Sequence, residues 1–569
     1  MTEQPAASTQ PPRSSAREYL RAAWPPAAIA LATIVVVCST INHYGLTYDE
    51  GWYLSRSARA RKWTGMLVFD PGFALSDAGI ERYWAAEAKR GGQVLTEEQP
   101  GAVKLVGGLL GYPVGRLFGV AFPERAGTAL FFAGCLVALY LFMHGVWGRA
   151  AAGFAVAALA LMPRVFADAH LCALDVPVAS MMLVTVPSMF AAVRRDSPLL
   201  AALSGLAWGV ALSCKINALF VPFILGVWLL IFHRRFLLYA APSLLLGGPI
   251  GFFLTWPWLW HHPVPRLAAY LAFHLGHYPV AVSYFGHVSA QQPWHYPIVM
   301  TAITTPPLTL GLGAVGLGFA AARMRGPATG EGDWRRSQAA LILLGAFFTI
   351  AFNCLPSAPK YTGVRLFLPF FPFVAALAGV GFSEIATRLC ARLPARPGAL
   401  LSPIRLKALL AALALLPALR VVAATHPFQM SYYNLLIGGL RGAEARGMEA
   451  TYWGDTYMAA CKTLTPLLRP RDVVWVDVPG CQWIVEEYLA RSCPGLRFGS
   501  GGWPGSEATW AIVQNKASEF SPASRALMAT GQGALAAELD GVPLSLVFGH
   551  NAIMRAREHM PPEQEGETP

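Results

Sequence analysis

Long apolar runs separated by short polar connections dominate most of the chain. Runs near 25–43, 127–147, 151–166, 174–193, 199–213, 216–232, 237–256, 298–322, 338–355, 365–386 and 407–424 each approach the roughly 20 residues that cross a bilayer as helix. The pattern predicts about 11 transmembrane helices, with 151–166 and 199–213 short enough to be tilted, broken or re-entrant. Between the first two runs, Trp52–Met66 sets Arg56, Arg59, Arg61 and Lys62 among Trp52, Tyr53 and Trp63, which predicts a helix lying in the membrane interface. After about residue 426 the pattern changes. Glu449–Trp453, Val473–Val478 and Trp510–Gln514 read as short strands, while Met458–Leu468 and Trp483–Ala490 carry helix-spaced apolar residues, so 426–569 reads as a small α/β domain. The polar end Pro561–Pro569 is expected to be disordered.

Composition agrees with this division. With 55% hydrophobic and 13% charged residues, the chain falls far below the roughly 25% charge of soluble domains. The fold class is therefore an α-helical polytopic membrane protein with a C-terminal non-cytoplasmic α/β domain. Residues 1–24 form a polar tail on the cytoplasmic side, and Met1–Arg21 lacks the short apolar core of a cleaved leader, so the first helix is expected to stay as an anchor. Residues 25–425 form the membrane domain, with outer loops at 46–126 and 256–297, and 426–569 is periplasmic or otherwise extracytoplasmic.

The formal charge of +12 sits largely on alternate connections, at Arg149, Arg194 and Arg195, Arg234 and Arg235, Arg323 and Arg325, and Arg388 and Arg392. That is the positive-inside pattern, and it displaces nucleic-acid binding as the reason for the charge. Most of the nine cysteines lie in or beside apolar runs without metal-binding spacing. Cys481 and Cys493 are as readily a disulfide as a free pair.

Candidate chemistry gathers on the face opposite the basic connections. Asp49-Glu50 follows the first span; Lys104 lies in Glu98-Gln99-Pro100-Gly101-Ala102-Val103-Lys104; Asp168-Ala169-His170 precedes Asp175-Val176-Pro177; and Lys360-Tyr361-Thr362-Gly363-Val364-Arg365 opens a late span. Ionisable groups at membrane depth are costly unless paired or wet, so they point to function. Two adjacent carboxylates exceed what helix capping needs. Asp175 before Val176-Pro177 suits an N-cap as well. Cations opposite an acidic cluster suit a phosphate-bearing substrate. The loop 256–297 concentrates histidines (His261, His262, His274, His277, His287, His295) among aromatic residues, which suits an interface or substrate contact better than a metal site.

The order of these motifs, with Lys215-Ile216-Asn217 between them and Tyr361-Thr362-Gly363-Val364-Arg365 before Pro369, resembles the GT-C superfamily of polyprenyl-phosphate-sugar glycosyltransferases. Within it the chain is similar to glycosyltransferase family 39, which includes protein O-mannosyltransferases and bacterial aminoarabinose transferases acting on lipid A. The resemblance covers roughly residues 25–425. In the tail, Pro427–Asn434, Gly438-Gly439 and Tyr452-Trp453-Gly454-Asp455 resemble segments of bacterial members. Where many relatives have a His-Pro-Pro element, this chain has Glu98-Gln99-Pro100-Gly101.

The resemblance implies an enzyme of a bacterial inner or plasma membrane, working on its non-cytoplasmic face. It would move a sugar, with inversion, from a polyprenyl-phosphate donor to a hydroxyl of a protein, glycolipid or polysaccharide, among membrane lipids. Asp49, Glu50 and Asp175 are then the catalytic carboxylates, with Asp49 as general base. Lys104, Lys215, Lys360, Tyr361 and Arg365 would hold the donor phosphate. Glu50 and Asp175 would suit a divalent cation, Mg²⁺ or Mn²⁺. The competing class is a transporter or flippase for a lipid-linked or anionic substrate, which the absence of a visible internal repeat disfavours.

Overall fold

The computed structural model describes residues 16–85, 89–90, 93–94, 99–276, 278–325, 331–392 and 402–558. The first part of the polar tail, Glu98, His277 and the stretch Pro561–Pro569 lie outside the described residues.

The apolar runs fold as helices: α1 (Ala16–Thr40), α3 (Ala126–Ala160), α4 (Asp175–Arg194), α5 (Pro198–Leu212), α6 (Val221–Phe232), α7 (Arg234–Leu254), α8 (Pro307–Arg325), α9 (Glu331–Cys354), α10 (Phe371–Arg392) and α11 (Pro403–Ala424). Eight helices among the described residues are long and apolar enough to cross a membrane, and Pro198–Leu212 and Ile216–Phe232 are shorter apolar ones. α3 is interrupted at Gly148 (φ 81°, ψ 177°), a backbone state that a side chain would strain, so the two runs expected at 127–147 and 151–166 meet there. The second run ends at Ala160, and Pro163–Asp168 forms a separate short helix. The run 298–322 is likewise divided, into Tyr296–Thr304 and α8, at the Pro306-Pro307 pair.

Burial separates the bundle interior from its rim. α10 is packed on nearly all sides, whereas α11 turns Ile404 and Leu413 outward at 81% and 57% exposure. Apolar surface of that kind suits lipid rather than water. Small residues bring helices together: a side chain at Gly316 of α8 would collide with the Leu377 carbonyl of α10.

The helix expected over Trp52–Met66 is present within α2 (Glu50–Phe69). It packs with the helices Pro71–Leu75 and Asp77–Trp84 around Trp63, Trp84 and Trp256. His261 contacts the Leu75 carbonyl and His262 pairs with Asp77, so two of the loop histidines bind this layer together.

The tail holds one five-stranded sheet: β1 (Val473–Val476), β2 (Arg497–Ser500), β3 (Trp510–Gln514), β4 (Ala534–Leu539) and β5 (Val542–Gly549), in the order β2-β1-β3-β5-β4. β1 runs parallel to β2 and β3, and β5 is antiparallel to β3 and β4. Helices Tyr457–Leu464 and Gln482–Leu489 match the helical expectation. The strand expected at Glu449–Trp453 is absent. Its side chains have divergent partners: Glu449 accepts the Ser283 and Ser518 N–H groups, and Thr451 donates to the Asn515 carbonyl. Cys481 and Cys493 are both free thiols.

The tail is docked on the bundle. Leu46, just beyond α1, is fully buried among Tyr457, Val474 and Ile484 of the sheet domain, and its N–H donates to the Tyr488 hydroxyl at 2.9 Å. Asn434 donates to the Ala302 and Thr305 carbonyls, both at 2.7 Å.

Candidate active site

One end of the bundle brings together four charged side chains from distant segments. Asp49 lies in the turn before α2, Asp175 is the first residue of α4, Lys215 precedes the short helix Ile216–Phe220, and Arg365 begins the helical turn that leads into α10. Arg365 joins them. Its Nη2 donates to Asp49 Oδ2 at 2.8 Å and its Nε to Asp175 Oδ2 at 2.8 Å, while Lys215 Nζ donates to Asp175 Oδ1 at 2.6 Å. Asn217 ties this group to the next helix by donating to the Leu366 carbonyl at 3.2 Å. Two cations and two carboxylates so paired satisfy one another at low exposure.

Glu50 points elsewhere. Arg125 holds both of its oxygens, and the Thr47 and Cys172 N–H groups donate to it as well. Arg125 also donates to the Tyr44 and Gly45 carbonyls, so the pair fixes the turn that presents Asp49. A cation at Glu50 or Asp175 would compete with these bonds for every carboxylate oxygen. The two residues therefore do not fit the divalent ion expected of them, and among the described residues no group of three or more His, Cys, Asp or Glu side chains is arranged to hold one.

The remaining expected phosphate ligands divide. Tyr361 lines the cavity beside Arg365, and burial pushes its hydroxyl up to about 12. Lys360 is turned back onto the Leu355 and Ala358 carbonyls at 2.6 and 2.9 Å, near the end of α9, and is 3% exposed. Lys104 donates to the Gln99 carbonyl at 2.5 Å, and the Gln99 amide donates to the Tyr53 hydroxyl at 3.1 Å.

The cluster opens into a cavity of about 510 Å³ between the bundle and the tail. Asp49, Tyr361 and Arg365 form one wall, and the loops after β1 and β3, with Lys516 and Glu519, form the other. Trp453 belongs to the site although its chemistry was not evident from sequence; its ring covers the Arg365 guanidinium at 3.6 Å and its N–H reaches Asp49. Arg125 and Arg164 were missed too. The available signal was that each is a cation on the face that charge bias leaves poor in them. Arg164 lies between the rings of Tyr433 and Tyr452, each centred 4.7 Å away. Asp168 shares a small void with Arg164 and Arg365, and burial reinforced by the Asp175 charge pushes its carboxyl up to about 8.

Residues 115–261 match the family model described as dolichyl-phosphate-mannose-protein mannosyltransferase. The fold is that of ArnT from Cupriavidus metallidurans in the apo state, at 15% identity and a TM-score of 0.50, covering 95% of this chain and 99% of that one. The chain thus shares one segment with that mannosyltransferase family model and its overall fold with ArnT. ArnT from the same organism bound to undecaprenyl phosphate is similar at 17% identity and a TM-score of 0.47, covering 94% and 98% of the two chains. The archaeal oligosaccharyltransferase AglB from Archaeoglobus fulgidus, in complex with an inhibitory peptide and a dolichol-phosphate, gives 12%, 0.44, and coverage of 87% and 70%. No curated protein matches the sequence.

Proposed function

We propose that the protein transfers a single sugar from a polyprenyl-phosphate donor to an acceptor hydroxyl, with inversion, in the cavity at the non-cytoplasmic end of the bundle. The observation that carries this reading is the Arg365 bridge between Asp49 and Asp175, opening into a cavity large enough for a sugar and an acceptor group. The matched family description supports a lipid-phosphate donor. The basic connections at the opposite end support the orientation.

In this reading Asp49 Oδ1 takes the acceptor proton as the acceptor oxygen bonds to the anomeric carbon. The bond from that carbon to the phosphate oxygen breaks, and its electron pair leaves with the lipid phosphate as a monoester dianion. Arg365 and Lys215 oppose the charge that develops. Arg365 Nη1 has no protein partner among the described residues, which leaves a donor for phosphate while Nε and Nη2 hold the carboxylates. Asp175 positions both cations. No step passes through a metal.

The test uses protein in proteoliposomes with a polyprenyl-phosphate sugar labelled in the sugar, and native membrane extract as the acceptor source. Loss of label from the lipid with equal gain in acceptor supports transfer. Label that crosses the bilayer with the lipid linkage intact would overturn it in favour of a flippase.

A further inference from the structure

The tail segment Tyr452-Trp453-Gly454-Asp455 places an indole against both members of the Asp49–Arg365 pair. Trp453 has φ +62°, a left-handed backbone state uncommon for a bulky residue, followed by Gly454 at φ +89°. From that turn the residue makes three contacts with the site. Its carbonyl accepts the Tyr48 N–H at 2.8 Å, its Nε1–H donates to Asp49 Oδ2 at 3.1 Å, and its ring lies under the Arg365 guanidinium at 3.6 Å. The side chain is 6% exposed, so the hydrogen bond and the stacked cation are both shielded from water.

These contacts distinguish the two Asp49 oxygens. Oδ2 receives both the Arg365 Nη2–H and the Trp453 N–H, so its lone pairs are already engaged. Oδ1 has no partner among the described residues, and Asp49 lines the cavity. Stacking also fixes the plane of the guanidinium, and with it the direction of the remaining Nη1 donor.

We propose that Trp453 is a positioning residue for the transfer reaction: it commits Oδ1 of Asp49 to the acceptor proton and sets the plane of Arg365 toward the leaving phosphate. This rests on the reading of Asp49 as the base. It makes the tail part of the reaction centre, supplying an N–H and an aromatic face that no membrane helix provides. Arg365, Asp175, Lys215, Tyr53 and Tyr361 also act electrostatically around Asp49, and all of them remain when Trp453 alone is changed.

The test compares the full-length protein with two variants that keep an aromatic surface over Arg365 but remove the N–H. One is Trp453→Phe; the other carries 3-(3-benzothienyl)alanine at 453, which matches the indole in shape. Each is assayed for transfer from a polyprenyl-phosphate sugar to native membrane acceptor across pH 5 to 9. The expected result for both is a kcat about tenfold lower, the scale of one hydrogen bond to a charged group, with KM for the donor within about twofold. Trp453→Ala, which also removes the stack, should raise KM for the donor. Wild-type kcat in the benzothienyl variant would overturn the proposal. Absence of transfer by the wild-type protein would instead overturn the function it rests on.

Discussion

Arg125 grips Glu50 with two N–H groups, Nε to Oε1 at 2.8 Å and Nη2 to Oε2 at 2.5 Å, and neither side chain is more than 2% exposed. Adjacent carboxylates thus have separate tasks: Glu50 holds the turn, and Asp49 faces the cavity. Removing one partner of a buried pair strands the other charge, at a cost of about 3–5 kcal/mol. Glu50→Gln and Arg125→Met should therefore lower the temperature at which detergent-solubilised protein loses monodispersity. Folded Glu50→Gln should keep turnover per molecule within about threefold of wild type. Size-exclusion thermal profiles and active-site-normalised rates separate the two effects.

Lysines that look alike in sequence should respond differently. Lys360 donates to carbonyls of the turn after α9, so Lys360→Met should cost about 1 kcal/mol of stability and leave the transfer rate nearly unchanged. Lys215 neutralises Asp175 beside the cavity, so Lys215→Met should slow transfer about a hundredfold. Parallel rate and thermal-stability measurements on the two variants check the contrast.

Arg365 should not tolerate lysine. An ammonium carries the charge but cannot donate to Asp49 and Asp175 from one plane while stacking on Trp453. Arg365→Lys is expected to reduce kcat about a hundredfold at saturating donor, checked by initial rates of label transfer.

Asp168 makes stability fall as pH rises. Its carboxyl is pushed up to about 8 by burial and by Asp175, against an ordinary value near 4, so over that interval the folded protein holds a proton that the unfolded chain releases. The contribution is fully present below about pH 4 and is lost as pH climbs through 8. Asp455 and Asp477, pushed up to about 7 by burial, act in the same sense. Asp168→Asn should flatten the decline in thermal stability between pH 5 and 8 without abolishing it, as read from melting curves at stepped pH.

The bundle was legible because apolar run length is a local property and membrane depth demands it. The cluster was partly legible for a related reason: charges at the ends of apolar runs need partners, and Asp49, Asp175, Lys215 and Arg365 are brought together. That criterion gives depth but not direction, so it could not separate Lys360 and Lys104, which bind carbonyls, from Lys215. Trp453 stood out only as part of the Tyr452–Asp455 motif, with nothing local to give it a role, since its partner Asp49 lies 404 residues away. The β4–β5 hairpin carries a local signal: Asp540-Gly541, with φ of 53° and 74°, is the pair such a turn favours. Glu449–Trp453 misled because its polar residues are buried by long-range hydrogen bonds rather than set out toward water, so alternation there does not mark a sheet.

The account stands on Asp49 as the group that takes the acceptor proton. Asp49→Asn keeps the shape and an oxygen for Arg365 and Trp453 while abolishing the base. With equal amounts of folded protein and saturating polyprenyl-phosphate sugar, it should lower the rate of sugar transfer about 10² to 10⁴-fold and leave donor binding close to wild type. Full transfer activity in Asp49→Asn would contradict the account.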